Sequence, residues 1–387
     1  RQVEYIDAVL EHGSQAKAAK ALDVNIRTVE RGIASAKKKY ALANVTAQSE
    51  YGEDLPAPFR LRGVSTLYNG KGEITSQWVK SEIDKDQLSE MLTEFVGQLT
   101  EEIRGAYEPP PVLQDYRGKK AKDLLTVYPM GDPHLGMYAW RGDAEENHDL
   151  DKAVADIDAA IDRLVAQAPD SRTCIIANLG DFFHADNNSA MTSRSGNILD
   201  VDTRWNHVMQ VGAHLMVSII NRCLEKHEKV IVRNAIGNHD DHSSMALSLI
   251  LNAFFEGTNR VHVETSPQQA WFYKHGKTLI GIHHGHSIKK DKLMGVMAVD
   301  AAQHWSETIH RYWLLGHVHH SEVREEPGVL IEYFRTLAPR DEYAQSHGYR
   351  SERDMRAIVY HKEYGEIERF TMNIRRIRDK DASIGVI

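Results

Sequence analysis

The chain has 387 residues, of which 42% are hydrophobic and 26% are charged. This length leaves room for two or three domains. No stretch approaches the roughly 20 consecutive apolar residues of a membrane-spanning helix, and the N-terminus lacks the apolar segment of a secretory signal. The sequence therefore argues against a membrane-spanning or membrane-bound protein.

The charge is distributed unevenly along the chain. The net charge is −8, but residues 1–45 contain eight Lys or Arg against five Asp or Glu, a net of +3, which leaves −11 for the remainder. A mildly basic head on an acidic body is compatible with DNA contact through the head only.

Two cysteines occur, Cys174 in a predicted strand and Cys223 in a predicted helix. Their apolar contexts predict buried free thiols, which are typical of a reducing compartment. We therefore expect a cytoplasmic protein, in the cytoplasm of a bacterial host if a phage encodes it.

Residues 1–43 are predicted to form a small all-α domain of three short helices. Ser14 caps the second helix and Asn25 caps the third, with a turn between them. The pattern resembles the helix-turn-helix families of transcription factors, resolvases and phage terminase small subunits. The resemblance implies that the third helix is a recognition helix, in which Arg27, Thr28 and Arg31 contact DNA. The alternative is a protein-docking module whose charged residues form a solvated face.

Residues 44–122 are predicted to form a connector. Two strand-like runs flank an Asn-Gly-Lys-Gly sequence at 69–72, which indicates a hairpin. Residues 83–106 have helical spacing, and the Pro-rich run at 108–111 predicts a stiff linker. The connector could mediate homo-oligomer formation or serve only as a spacer.

Residues 123–387 contain five short motifs, each directly after an apolar run. These are Gly131-Asp132-Pro133-His134, Gly180-Asp181-Phe182-Phe183-His184, Gly237-Asn238-His239-Asp240, His284-Gly285-His286 and Gly316-His317-Val318-His319. Apolar runs rich in β-branched residues predict buried strands, and the helical patterns between them predict βαβ units. The motifs then lie at the carboxyl ends of strands, where open α/β sheets place their chemistry.

The order and spacing of these motifs resemble the calcineurin-like metallophosphoesterase superfamily. The resemblance implies an α/β fold, a four-layer α/β/β/α sandwich, with two divalent metal ions at the sheet ends. The first ion would be bound by Asp132, His134, Asp181 and His319, and the second by Asp181, Asn238, His284 and His317. In the fourth motif the family places its ligand directly before Gly, which favours His284 over His283, with His286 as the alternative.

Carboxylate, amide and imidazole donors without thiolate suit Mn, Fe, Zn, Ni or Co rather than a structural zinc site, and we expect Mn. Two such ions could activate a hydroxide and clamp a phosphoryl group during its displacement. The resemblance implies that His239 protonates the leaving alcohol. Asp240 is expected to hold the ring and tautomer of His239.

Three features narrow the substrate. Phosphoprotein phosphatases of the superfamily use arginines to clamp a phosphate monoester, and one of them directly precedes the third motif. Here Ile236 stands at that position, and Arg233 lies three residues further upstream. The second motif resembles the break-repair exonuclease branch, which implies that His184 contacts the nucleic-acid phosphate. Arg194 and Arg204, in or after a loop rich in Asn, Ser and Gly, could cover the substrate backbone.

We therefore predict a nuclease, a metal-dependent phosphodiesterase that acts on DNA and is targeted by its N-terminal head. This combination also resembles phage or prophage gene content. The first alternative is a phosphatase or nucleotide phosphodiesterase whose head docks another protein. The second is a DNA-binding regulator whose phosphoesterase fold is catalytically idle.

Overall fold

The computed structural model describes residues 5, 8, 9, 12, 14–40, 59–69, 74–106, 121–192 and 195–379. The predicted Pro-rich linker and Arg194 therefore lie outside the described residues. The chain divides into two compact units, residues 1–94 and residues 95–387. The three-part division at 43 and 122 stays a prediction.

The described part of the first unit includes two helices joined by a turn and a hairpin, and its residues 5, 8, 9 and 12 are also helical. Its elements are α1 (Gln15–Ala21), α2 (Ile26–Tyr40), β1 (Phe59–Tyr68) and β2 (Ile74–Ile83). Both predicted caps are present, since the Ser14 side chain accepts the amide of Lys17 and that of Asn25 accepts the amide of Arg27. Ala19, Val29 and Ile33 are the buried residues that hold α1 against α2. Strands β1 and β2 pair in antiparallel fashion.

Helix α3 (Lys85–Ala106) begins in the first unit and ends in the second. Its start is fixed by Asp84, whose carboxylate accepts the backbone amides of Asp86 and Gln87. The sequence pattern predicted a start at residue 83, but β2 extends to Ile83, so the helix begins two residues later.

The second unit is built on two sheets, and the α/β class is confirmed. The six-stranded sheet has the order β13-β12-β3-β4-β5-β6, and β3 to β6 run parallel to one another. Its strands are β3 (Ala121–Met130), β4 (Ser171–Asn178), β5 (Lys229–Asn234), β6 (Val261–Val263), β12 (Asp354–His361) and β13 (Gly365–Asn373). The helices that contact it are α4 (Leu150–Gln167), α5 (Trp205–Lys226), α6 (Ser243–Phe254) and α10 (Ile374–Arg378).

The second sheet has five strands in the order β10-β11-β9-β8-β7, with β8, β9 and β11 parallel. Its strands are β7 (Trp271–His275), β8 (Thr278–His283), β9 (His310–Leu315), β10 (Glu322–Glu326) and β11 (Val329–Tyr333). The remaining helices are α7 (Leu293–Asp300), α8 (Ala302–Glu307) and α9 (Glu342–Ser346).

Alternation along β8 shows how the second unit is layered. Ile280 and Ile282 point into a core shared with Val127 and Ile175 of the first sheet. Leu279, on the opposite face, belongs to a second cluster that includes residues of α7. Since successive side chains of a strand face opposite sides, the two sheets bury one face against each other.

The carboxyl ends of both sheets meet at one edge. Gly131, directly after β3, forms a bridge with Thr336, which lies shortly after β11 of the other sheet. The backbone amide of Gly316, after β9, donates to the carbonyl of His284, after β8. All five motifs therefore follow strands that end at this edge, as predicted. None of the helices in the described ranges has the length and apolar character that crossing a bilayer needs.

Candidate metal centre

Backbone strain is concentrated at the motifs. Non-glycine residues with left-handed backbones include Asp132, His134, Asp181, His317 and His319, whose φ values are 43°, 48°, 48°, 75° and 56°. All five are predicted metal ligands. Such a conformation costs roughly 1–3 kcal/mol at a non-glycine residue and persists where the surrounding structure enforces it, often at functional sites.

Two motif glycines allow the strands to end close together. A Cβ at Gly237 would lie 2.0 Å from the Asp181 Oδ1, and one at Gly316 would lie 2.7 Å from the Asp132 Oδ2. Both distances are far below a van der Waals contact, so any side chain there would displace a carboxylate. The glycines are thus required by the approach of neighbouring motifs.

Asp132, His134 and His319 form the first cluster, in which the potential ligand atoms all lie within 4.8 Å of one another. The Nε2 atoms of His134 and His319 are 3.1 Å apart, and the His319 Nε2 lies 3.6 Å from the Asp132 Oδ1. Asp132 is held in place by the backbone amide of His317, which donates to both of its oxygens. This grouping corresponds to three of the four residues predicted to bind the first ion.

Asp181, His284 and His317 form the second cluster, again within 4.8 Å. The His284 Nε2 lies 3.1 Å from both the Asp181 Oδ2 and the Asn238 Oδ1. Its Nδ1 donates to the carbonyl of Leu179 at 2.8 Å, which turns Nε2 toward the cluster and fixes the tautomer that a metal ligand needs.

The neighbouring His283 has different partners. Its Nδ1 accepts the backbone amide of Gly285, and its Nε2 lies 3.0 Å from the Ser287 hydroxyl. In the fourth motif it is therefore His284 that the structure brings to Asp181 and Asn238, and its binding of a metal ion stays a prediction.

The two clusters contain buried carboxylates, which a bound divalent cation would neutralise. Asp132 and Asp181 are only 0% and 2% exposed. Burial raises the pKa of Asp132 to about 7. Burial alone would lower the pKa of His284. The attraction of the adjacent Asp181 carboxylate is stronger and raises that pKa to about 9. Oxygen and imidazole donors without thiolate fit divalent Mn, Fe, Zn, Ni or Co. The donor set thus fits the implied metal ions.

Asp240 is placed differently from the prediction, whereas the role of His239 as proton donor stays a prediction. The His239 Nδ1 donates to the backbone carbonyl of His184 at 2.8 Å. Asp240 is fully buried, and its carboxylate accepts the backbone amides of four residues, Asp181, Phe182, Phe183 and Gly237. The prediction that Asp240 holds the His239 ring is therefore wrong. A buried carboxylate needs nearby donors, and the amides of the second motif's turn provide them.

His184 is buried beside a ligand rather than open to solvent. It is 3% exposed, and its Nδ1 lies 3.1 Å from the Nδ1 of His134. Burial, with the nearby His239, lowers the pKa of His184 to about 3, so the ring is neutral near pH 7. Of the other predicted substrate residues, Arg204 is exposed beside a cavity described below, and Arg194 lies outside the described residues.

Arg233 has a structural role in this fold. Its guanidinium is buried and donates to the backbone carbonyls of Ser266 and Gln268. Arg233 therefore links β5 to the segment that precedes β7, and its guanidinium is not positioned to bind a substrate phosphate.

A network that sequence reasoning did not foresee joins the second and third motifs to α5. The Asp186 carboxylate accepts the Ser243 amide at 2.8 Å and its hydroxyl at 2.7 Å, and it pairs with the His242 Nδ1 at 2.7 Å. The Ser243 hydroxyl in turn accepts the indole N–H of Trp205 at 2.9 Å. The position of Ser243 and His242 at the start of α6 was the available signal, since helix starts attract carboxylates.

The predicted DNA-contacting residues of the first unit lie on one exposed side of α2. Arg27, Thr28 and Arg31 are exposed, whereas Val29 and Ile33 are buried against α1. Helix α2 thus presents Arg27 and Arg31 to solvent.

No family model matches this chain, and no curated protein matches it. Among solved structures, it is similar to a predicted phosphoesterase from Streptococcus pneumoniae TIGR4, with 13% identity over 65% of this chain and 99% of that one, and a TM-score of 0.26. An archaeal phosphodiesterase matches with 15% identity over 64% and 99%, and a TM-score of 0.33. The phosphoesterase YfcE from E. coli matches with 13% identity over 63% and 98%, and a TM-score of 0.29. At these values the likeness carries no conclusion about activity.

Proposed function

We propose that the protein is a metal-dependent phosphodiesterase that hydrolyses DNA, with two divalent ions at the common edge of its sheets. The observation that carries this proposal is two groups of carboxylate and imidazole donors, Asp132 with His134 and His319 and Asp181 with His284 and His317, each with its ligand atoms within 4.8 Å of one another. The two sheets with helices packed outside them fit the four-layer sandwich of the calcineurin-like metallophosphoesterases. Asp132, His134, Asp181 and His319 would hold one ion, and Asp181, Asn238, His284 and His317 the other.

When bound, the ion pair supplies Lewis acidity and an activated water for attack on the phosphorus. We assign the remaining steps to side chains of this chain. His239 keeps its Nδ1 proton on the His184 carbonyl, so its Nε2 is the atom that delivers a proton to the leaving oxygen. Asp240 positions the backbone of the second and third motifs through its four amide contacts.

The proposal of DNA as substrate rests on two features. Arg233 is occupied by backbone carbonyls, and Ile236 stands directly before the third motif, so no arginine is placed there to clamp a monoester dianion. The exposed Arg27, Thr28 and Arg31 of α2 suit major-groove and phosphate contacts. We propose that this head targets the enzyme to DNA, and that the protein is encoded by a phage or prophage.

The test is hydrolysis by the full chain with Mn added. Bis-p-nitrophenyl phosphate is compared with p-nitrophenyl phosphate, and labelled single- and double-stranded DNA are assayed in parallel. We expect diester and DNA cleavage, both abolished by EDTA and, separately, by Asp181→Asn. Monoester turnover with intact DNA would instead make the protein a phosphatase with a docking head. DNA binding without any hydrolysis would make it an idle regulator.

A further inference from the structure

A cavity of about 620 Å³ opens beside the candidate metal centre in the second unit. Its lining includes Leu135, Ala185, Val201, Arg204 and Trp205. Leu135 directly follows His134, and Ala185 directly follows His184. These two short segments are joined, because the amide of His184 donates to the carbonyl of Leu135. One wall of the cavity is thus a single residue away from two site histidines.

We propose that this cavity is a nucleobase subsite, which receives the base of the nucleotide next to the scissile phosphate. The inference rests on the proposed phosphodiesterase function and names the part of the substrate that the neighbouring site recognises. A volume of about 620 Å³ falls within the roughly 300–1,000 Å³ of ligand pockets in proteins, and it accommodates a planar base with part of its sugar.

Trp205 gives the cavity a fixed aromatic wall. Its indole N–H donates to the Ser243 hydroxyl, which is itself bonded to Asp186. The Phe95 ring packs against the indole with centroids 5.6 Å apart and an interplanar angle of 31°. Because the Trp205 ring is already held by this hydrogen bond and by Phe95, it loses little conformational freedom when a base stacks on it. Stacking on aromatic side chains is a common way in which proteins bind unpaired bases.

The polar groups of the cavity suit a nucleotide as well. The Asn188 Oδ1 accepts the backbone amide of Trp205, which leaves the side-chain NH₂ of Asn188 as a donor for a base carbonyl. Arg204 precedes the helix that carries Trp205 and is exposed at the lining, where it can reach the phosphate of an adjoining nucleotide. Leu135, Val201 and Val208 are apolar parts of the lining, which also includes Asn187, Asp202 and Thr203.

A base that binds in this subsite is no longer stacked on its neighbouring bases in the DNA. Removing a base from a duplex costs stacking and pairing free energy, and a single strand does not carry the pairing cost. The subsite therefore predicts that the enzyme prefers single-stranded DNA or frayed ends over intact duplex.

The experiment compares three p-nitrophenyl esters that share one leaving group: the 5′- and 3′-phosphodiesters of thymidine, and methyl p-nitrophenyl phosphate, which has no base. With Mn and the full chain, we expect a KM at least about tenfold lower for one thymidine ester than for the methyl ester. Trp205→Ala should remove this difference, and Trp205→Phe should retain most of it. Binding of thymidine monophosphates to the metal-free protein, measured by calorimetry, should weaken in parallel.

A second variant tests the subsite independently, in case Trp205→Ala does not fold. Val201→Trp adds a ring at the cavity lining, and it should raise the KM of the thymidine ester with little effect on the methyl ester. Val299→Trp, at an exposed position of α7, is the matched control and should change neither. Equal KM values for all three esters in the unmodified protein, or a preference that survives both cavity variants, would overturn the subsite. Absence of turnover on every ester would instead defeat the proposed function, and the subsite with it.

Discussion

The Nδ1 atoms of His134 and His184 lie 3.1 Å apart, and both rings are buried. Of two neutral rings in this geometry, one donates and the other accepts. If His134 offers its Nε2 to an ion together with His319, its proton sits on Nδ1 and His184 is the acceptor. The backbone carbonyl of His184 meanwhile accepts the His239 Nδ1. One residue therefore orients both a predicted ligand and the predicted acid.

The first prediction concerns this orientation. His184→Ala removes the acceptor that fixes the His134 tautomer, and we expect metal affinity to fall by about 10–100-fold, as for other partners of metal-bound histidines. His184→Asn restores an acceptor oxygen near the Nδ1 position and should recover most of the affinity. Titration with Mn followed by calorimetry measures both. Equal losses in the two variants would remove His184 from this role.

The second prediction concerns proton delivery. His239→Gln should retain metal but lose about 10²–10⁴-fold in rate on alkyl diesters and DNA, whose leaving alkoxides need a proton. Loss on p-nitrophenyl esters should be far smaller, because p-nitrophenolate leaves unassisted. His262→Gln, exposed on the edge strand β6, is the control and should leave both rates unchanged. Similar losses on both kinds of ester would exclude His239 as the acid.

The third prediction concerns Asp240. Asp240→Asn replaces one of the two acceptor oxygens by an NH₂ group, which cannot accept a hydrogen bond. Some of the four backbone amides that now donate to Asp240 would then have no acceptor. Because each buried amide left without an acceptor costs about 1–3 kcal/mol, we expect the free energy of unfolding to fall by about 2–4 kcal/mol. Urea denaturation measures it. Asp300→Asn, on the surface helix α7, should change it by less than about 0.5 kcal/mol. A loss of activity with unchanged stability would return Asp240 to a catalytic role.

The fourth prediction tests the head. Arg27→Ala combined with Arg31→Ala should weaken binding of the full chain to duplex DNA. It should also lower the slope of log K against log salt by up to about 0.9 for each lost phosphate contact. Lys17→Ala with Lys20→Ala removes the same charge from the exposed side of α1 and is the matched control. If both pairs weaken binding equally, α2 has no special role, and an unchanged slope in both would indicate protein docking.

The fifth prediction concerns acid stability. Burial alone would raise the pKa of Glu146, but hydrogen bonds from Arg378 and Arg353 outweigh it and lower that pKa to about 2. A carboxylate whose pKa is depressed in the folded state stabilises the fold above its unfolded value, and this contribution is lost as the pH falls through the folded value. The stability advantage over Glu146→Gln should therefore be constant above about pH 5 and narrow between pH 4.5 and 2. Thermal unfolding from pH 7 to pH 3 measures it; an advantage that does not change with pH would contradict the pairing.

The motif-bearing strands were predictable because each contains an apolar run that ends shortly before a motif glycine, a signal carried by neighbouring residues. The start of α3 was missed by two residues, since Asp84 acts as a cap only when β2 extends to Ile83. The partners of Asp240 were missed for a different reason. They depend on how the turn at Phe182 packs against the third motif, and residues so far apart in sequence leave no local pattern.

The pairing that closes one side of the six-stranded sheet joins distant parts of the polypeptide. Strand β3, which leads into Asp132, lies between β4 and β12, and Val127 pairs with Ile358. A chain leaving the ribosome cannot complete this pairing until nearly all of the second unit has been made, and formation of such distant contacts slows folding. Since His319 also follows most of that unit, the proposed metal loading should be a late event in biosynthesis, and until β12 has been made one edge of β3 lacks its neighbouring strand.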